Sequence, residues 1–136
     1  MYETFDHTAD LGLRIMAADL NTLFEEAARA LFSIIVEQLD SVQPVRCIEV
    51  VLPADDLEYL FFDWLNRLLF HFDAEHLLLS RFSVKVDEQG LKGQAWGEPL
   101  DRARHELEHE VKAITHHQLK VEKTDTGCLA EVIVDI

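Results

Sequence analysis

Between Asp55 and residue 74 the chain carries a run that permits few arrangements. Leu57, Leu60, Phe61, Trp64, Leu65, Leu68, Leu69 and Phe72 recur at i, i+3 and i+4 spacing, and Phe62 and Phe70 widen the stripe almost all the way round. A helix this apolar must be covered on at least two sides. Asp63, Asn66, Arg67, His71 and Asp73 interrupt it, so it falls short of the roughly 18 apolar residues of a membrane span. It therefore reads as a central core helix over residues 55–74. Asp55-Asp56-Leu57-Glu58 ahead of it resembles a capping box, with Asp55 as the acceptor and Glu58 reaching back.

A second helix is expected over residues 20–37. Asp19 suits an N-cap, because its carboxylate accepts bonds from the first free N–H groups. Leu20, Leu23, Phe24, Ala27, Leu31, Ile34 and Ile35 follow at helical spacing. The other apolar residues mostly alternate, as in strands. Tyr2–Phe5 is a short extended start, and Leu11, Leu13 and Ile15 give the next strand. Arg46–Leu52 (closed by Pro53), residues 81–87, Leu91–Gly97, Val111–Glu122 and Leu129–Ile136 supply the rest. Glu88-Gln89-Gly90 reads as a hairpin loop with Gly in the left-handed position. Gly93 and Gly97 leave room for another backbone or a ligand. Asp101–Glu110 fits a short helix or an ordered loop. Tight turns join most strand neighbours, so the expected fold is α+β: a largely antiparallel sheet with two long helices packed on it. No linker or low-complexity tract divides the chain, so one domain over residues 1–136 is expected.

Charge narrows the function classes. Twelve Lys+Arg against 26 Asp+Glu leave a net charge of −14. Such a surface repels phosphate backbones, so no strong nucleic-acid binding by this chain alone is expected. It suits a basic partner or cations. Cys47 and Cys128 lie far apart without a CxxC partner and read as half-buried strand thiols. The N-terminus has neither a basic start nor an apolar run, so no signal peptide, no membrane and a cytoplasmic location are expected. There is no phosphate-binding GxxxxGK[ST] loop, no GxGxxG after a strand, no GxSxG elbow and no basic–aromatic stripe.

Three clusters carry candidate chemistry. Asp6-His7-Thr8-Ala9-Asp10 places two carboxylates, an imidazole and a hydroxyl together, as a hard cation requires; it also reads as a polar connector in which Asp and Thr satisfy turn amides. Ile133-Val134-Asp135-Ile136 sets a terminal carboxylate beside the Asp135 side chain, and the two repel unless a cation or a proton intervenes. His105, His109, His116 and His117 crowd into one stretch. If the turn at Thr124–Gly127 pairs its strands directly, His116 or His117 falls opposite Asp135, and a one-residue slip decides which. Zinc is disfavoured, since no helical HxxH-type signature joins a third soft ligand.

Four segments, in order, resemble the archease family. Tyr2-Glu3-Thr4-Phe5-Asp6-His7-Thr8-Ala9-Asp10-Leu11-Gly12 is similar to its opening motif, and Leu60 to Phe70 to its central helix. Gly97-Glu98-Pro99 with Arg104-His105 and Glu110-Val111-Lys112-Ala113-Ile114-Thr115-His116-His117 is similar to its late signature, and Val132 to Ile136 to its terminus. His116 departs from the pattern, where the family usually shows Tyr. The resemblance implies two fused strand–helix–strand–strand modules. It implies a protein cofactor of an RtcB-type RNA ligase in tRNA splicing and RNA repair, promoting metal- and GTP-dependent guanylylation of the ligase and its multiple turnover. Such a protein is not itself a ligase, and the GTP is held by the ligase. The resemblance also implies a divalent-metal site (Ca²⁺, Mg²⁺ or Mn²⁺) at Asp10, Asp135 and the terminal carboxylate of Ile136. Asp6, His7, Lys112, His116 and His117 are then candidates for supporting that site or touching the ligase. The alternatives are a stand-alone metal-dependent hydrolase and a chaperone-like interaction module with a structural metal.

Overall fold

Seven strands and two long helices follow one another in the computed structural model, which describes residues 1–7 and 10–136, with Asp6 and His7 described in their backbone alone. The strands are β1 (Tyr2–His7), β2 (Asp10–Ala17), β3 (Arg46–Pro53), β4 (Leu77–Asp87), β5 (Gly90–Pro99), β6 (Ala113–Thr124) and β7 (Gly127–Asp135); the helices are α1 (Leu20–Ile35) and α2 (Leu57–Glu75). All strand pairs are antiparallel, in two sheets rather than one: β1-β2-β7-β6 and β3-β5-β4. The second sheet follows the order strand, helix, strand, strand from β3 to β5. The first repeats it with β2, α1, β6 and β7, so one module is inserted into the other between α1 and β6. The α+β class and the two fused modules expected from the sequence are present.

The helices tie the modules together by crossing over. α1 packs chiefly on β4 of the inserted module, and α2 chiefly on β6 of the outer one. Trp64 on α2 is fully buried and donates its indole N–H to the Phe24 carbonyl of α1 at 3.0 Å, while Phe24 and Phe61 meet edge to face at 5.3 Å. A buried indole needs such an acceptor. The apolar run that dominates the sequence thus forms the middle of a continuous core. Its stripe is not covered all round: Tyr59 and Phe70 remain exposed. No helix among the described residues is long and apolar enough to cross a membrane.

Caps set the helix ends. Asp19 accepts the Thr22 N–H at 2.8 Å, which holds its carboxyl below the ordinary range. α1 stops at Ile35 rather than residue 37, because Val36 turns extended and bridges to Leu107. α2 is capped by Asp56, one residue later than the capping-box pattern places it: Asp56 accepts the Tyr59 N–H at 2.9 Å, and Glu58 accepts the Val121 N–H of β6 instead of reaching back. Asp56→Ala is expected to lower stability by about 1 kcal/mol, and Asp55→Ala by less, in chemical denaturation.

The segment after β5 forms no helix. It docks on the end of α1, where Glu108 and His109 donate their N–H groups to the Ile35 and Ile34 carbonyls at 2.9 and 3.0 Å. Those carbonyls have no intrahelical partner. The room at Gly93 and Gly97 is taken by the protein itself: a Cβ at Gly93 would meet the Trp64 ring, and one at Gly97 the Leu78 carbonyl. The cysteines are not alike. Cys47 is exposed on β3 and Cys128 buried on β7.

The acidic end of the four-stranded sheet as candidate functional site

Alternation decides which side chains leave the core. On β2, Leu13 and Ile15 are fully buried, so Asp10, Gly12 and Arg14 occupy the outer face. On β7, Ala130, Val132 and Val134 are buried in the core, so Glu131, Ile133 and Asp135 lie outward. Register then sets Asp10 directly opposite Asp135. Both residues are half-buried. Like charges directly opposed destabilise a strand pair, and among the described residues neither carboxylate has an ion-pair partner.

Asp135 is held from both sides, because β7 is an interior strand. Ala113 of β6 pairs with it opposite Asp10, and the Lys112 N–H donates to the Asp135 carbonyl at 2.7 Å. Ile136 follows with its side chain packed against the core. That packing holds the Ile136 backbone beside Asp135. His7 pairs with Asp10 from β1 through the backbone. Four strands thus bring His7, Asp10, Asp135 and Ala113 into one row. Thr8 and Ala9, and the side chains of Asp6 and His7, lie outside the described residues, so only Asp10 of the first cluster is placed in full.

The next rows show a different balance. Gly12 lies under the Phe5 ring, where a Cβ would collide, and Arg14 sits 5.0 Å above that ring. Arg14 reaches Glu3 at 2.7 Å and Glu131 at 3.0 Å, and these bonds raise its pKa. Glu3 and Glu131 thus share a cation between them, whereas Asp10 and Asp135 have none among the described residues. Thr115 pairs with Ile133 on the same face, and its hydroxyl oxygen is buried without a hydrogen-bond partner among the described residues. The sequence names Thr115 only within the segment similar to the late signature and gives it no role; the sheet makes it a neighbour of the acidic row. The groups here able to coordinate a hard cation are the Asp10 and Asp135 side chains, the terminal carboxylate of Ile136 and the Thr115 hydroxyl. Among the described residues no three His, Cys, Asp or Glu side chains converge as a metal-holding group.

The histidines do not assemble as expected. Direct pairing from the Thr124–Gly127 turn would put His116 opposite Asp135, but the register shifts between Thr115 and Lys120, and Ala113 takes that place. Gln118 supports the bulge with φ 58°, in the left-handed region. His116 stacks on Phe62 of α2 at 3.6 Å between ring centroids. His116→Ala is expected to cost about 1 kcal/mol in thermal unfolding. His117 stays on the exposed bulge, and Lys112 is exposed.

His105 is buried elsewhere. Its Nε2 meets Glu98 at 2.9 Å, and its Nδ1 accepts the Asp101 N–H at 2.9 Å. Glu98, also buried, bonds Arg104 and accepts the Gln43 N–H at 2.7 Å. Burial alone would raise the Glu98 pKa; Arg104, the Gln43 amide and His105 outweigh it and hold the carboxyl at about 2. This network clamps the segment after β5 to the start of β3.

Comparison with known proteins agrees with this architecture. The model of the Archease protein family (MTH1598/TM1083) matches residues 2–136. Protein archease of Sulfurisphaera tokodaii is 39% identical over 137 residues, covering 99% of this chain and 98% of that protein. Protein archease of Methanopyrus kandleri is 41% identical over 139 residues, covering 99% of each. The solution structure of Methanobacterium thermoautotrophicum protein 1598 superposes with a TM-score of 0.87 at 37% identity, over 99% of this chain and 98% of that one. The Thermotoga maritima crystal structure, described as an archease and possible chaperone, shares the fold with a TM-score of 0.70 at 24% identity, over 100% of this chain and 98% of that one. The chain belongs to the archease family.

Proposed function

We propose that this chain is a protein cofactor of an RtcB-type RNA ligase. It promotes guanylylation of the ligase and multiple turnover, in tRNA splicing and RNA repair. The observation that carries the reading is the Asp10–Asp135 pair, opposed in register and without an ion-pair partner among the described residues, in a protein of the archease family. The donors suit a divalent cation such as Ca²⁺, Mg²⁺ or Mn²⁺: oxygen atoms only, two opposed carboxylates that have no basic partner among the described residues, and a nearby hydroxyl that has no hydrogen-bond partner among them. Asp10, Asp135 and the terminal carboxylate of Ile136 would hold the ion. When bound, it supplies positive charge where phosphate charge must be stabilised.

The chain's own residues do the positioning. β7 is hydrogen-bonded along both edges, so Asp135 is fixed before any partner arrives. Asp10 is fixed by pairing on both sides, with His7 and Asp135. Ala113 keeps the row free of bulk. A rigid acidic end of this kind can dock against a basic, nucleotide-holding pocket without paying to order itself. The GTP stays on the ligase. Asp6, His7 and Lys112 border the site in sequence or on the sheet, and with His117 on the exposed bulge of β6 they are the residues most suited to touch the ligase.

The test is guanylylation of the cognate ligase with radiolabelled GTP, with and without this protein. Stimulation at substoichiometric amounts supports the cofactor role. Equal labelling in both arms rejects it. Turnover of a substrate with no ligase present would move the protein to a hydrolase instead.

A further inference from the structure

The outer face of the three-stranded sheet is organised differently from that of the four-stranded one. On β5, Leu91 and Ala95 enter the core, so Lys92, Gln94 and Trp96 lie outward. Register sets Lys85 of β4 directly opposite Lys92, Ser83 opposite Gln94 and Arg81 opposite Trp96. Val51, Glu49 and Cys47 complete these rows on β3. Two lysines therefore face each other, an arrangement that destabilises a strand pair. On the other sheet the outward arginine sits between two glutamates. With 26 acids against 12 bases, partners are plentiful. Yet among the described residues Arg81, Lys85 and Lys92 form no ion pair. Glu49 is the one acid in these three rows. A shallow depression of about 330 Å³ lies between Glu49, Val51, Ser83, Lys85, Lys92 and Gln94.

We propose that this face holds a single-stranded RNA. Phosphates would discharge the Lys85–Lys92 repulsion and meet Arg81, about 13 Å further along β4. Trp96, half-buried on the same face and opposite Arg81, is the aromatic on which a base would stack, and Ser83 and Gln94 would supply hydrogen bonds between. Cationic side chains interleaved with an aromatic on an open surface are what a sequence-tolerant single-strand site requires. An acidic peptide would satisfy the lysines but leave Trp96 without a role. The phosphate-binding character rests on the geometry; the choice of RNA rests on the ligase-cofactor reading above. The net charge of −14 makes the contact weak in isolation. It becomes effective when a ligase holds the same strand nearby and raises its local concentration.

The experiment is fluorescence anisotropy with a short labelled oligouridine at low salt, comparing the wild type with Lys85→Ala/Lys92→Ala. Binding by the wild type should fall with salt at a logarithmic slope of about −2, as for three phosphate contacts. The double variant should bind at least tenfold more weakly, and its melting temperature should not drop, because a repulsive pair has been removed. A labelled poly-glutamate peptide should bind the wild type at least tenfold less tightly than the oligouridine. Equal binding by wild type and variant, no binding at low salt, or preference for the peptide would each overturn the proposal. Guanylylation consumes no RNA, so the double variant should stimulate it as the wild type does. If that stimulation is intact and RNA binding is absent, this inference alone falls. If the wild type gives no stimulation, the cofactor reading falls, and oligouridine binding still decides whether the face takes nucleic acid.

Discussion

Asp10→Ala/Asp135→Ala is expected to abolish stimulation of ligase guanylylation while leaving the protein folded. The two carboxylates face each other in register, half-buried, with no basic partner among the described residues. Removing both takes away a repulsion worth about 0.2–1 kcal/mol, so thermal stability without added metal should hold or rise slightly. Loss of stimulation at an unchanged melting temperature then separates the site's role from a folding defect. A second readout needs no ligase. Titration of the wild type with Ca²⁺, Mg²⁺ or Mn²⁺ should raise its melting temperature, since an ion that binds only the folded state at a hundred times its dissociation constant adds about 2.7 kcal/mol. The double variant should show no such rise. Full stimulation by the folded variant would reject the site. Loss of stimulation with an unchanged metal response would place the ion elsewhere.

Glu98→Gln is expected to destabilise the protein by about 3 kcal/mol near neutral pH, read from the midpoint of urea unfolding. The carboxyl titrates at about 2 in the folded protein against an ordinary 4.5. A lowered folded value means that the folded state favours the ionised form. The stabilisation is then fully present above about pH 4.5 and is lost as pH falls toward 2. The wild type should therefore lose stability steeply across that window, and Glu98→Gln should show a flatter acid limb. Arg104 is partly exposed and returns to water in the variant, whereas His105 is left buried without its carboxylate. The function of the acidic end should survive wherever the variant remains folded, because Glu98 sits on the other sheet. A parallel pH profile in both proteins would refute the assignment.

Much of this was legible along the chain. Each helix is legible by its period, and Asp19 caps α1 as its sequence position suggests. The one-residue error at Asp56 arose because Asp55 and Asp56 are both good acceptors, and packing of Leu57 and Glu58 decided between them. The histidine stretch misled for a different reason. Turn geometry fixes register only while a strand runs without interruption, and the bulge after Thr115 removed His116 and His117 from the Asp135 row. Glu98 and His105 both stand in segments the sequence picks out, but their pairing was not legible, because they come together through a loop whose path follows from the end of α1.

The sequence by itself determined the two long helices, most of the strands and the α+β class, because periodicity, caps and turns are local properties of neighbouring residues; it offered Asp10 and Asp135 in two separate acidic clusters, and only the resemblance to the archease family joined them into one proposed site. The tertiary structure alone decided that there are two sheets, that Asp10 and Asp135 stand face to face, that Thr115 is buried beside them without a hydrogen-bond partner among the described residues, and that Lys85, Lys92, Arg81 and Trp96 share one surface. Those facts depend on which strands pair and in what register. Pairing is settled by burying one face of each strand in a common core, a condition set by the whole chain at once.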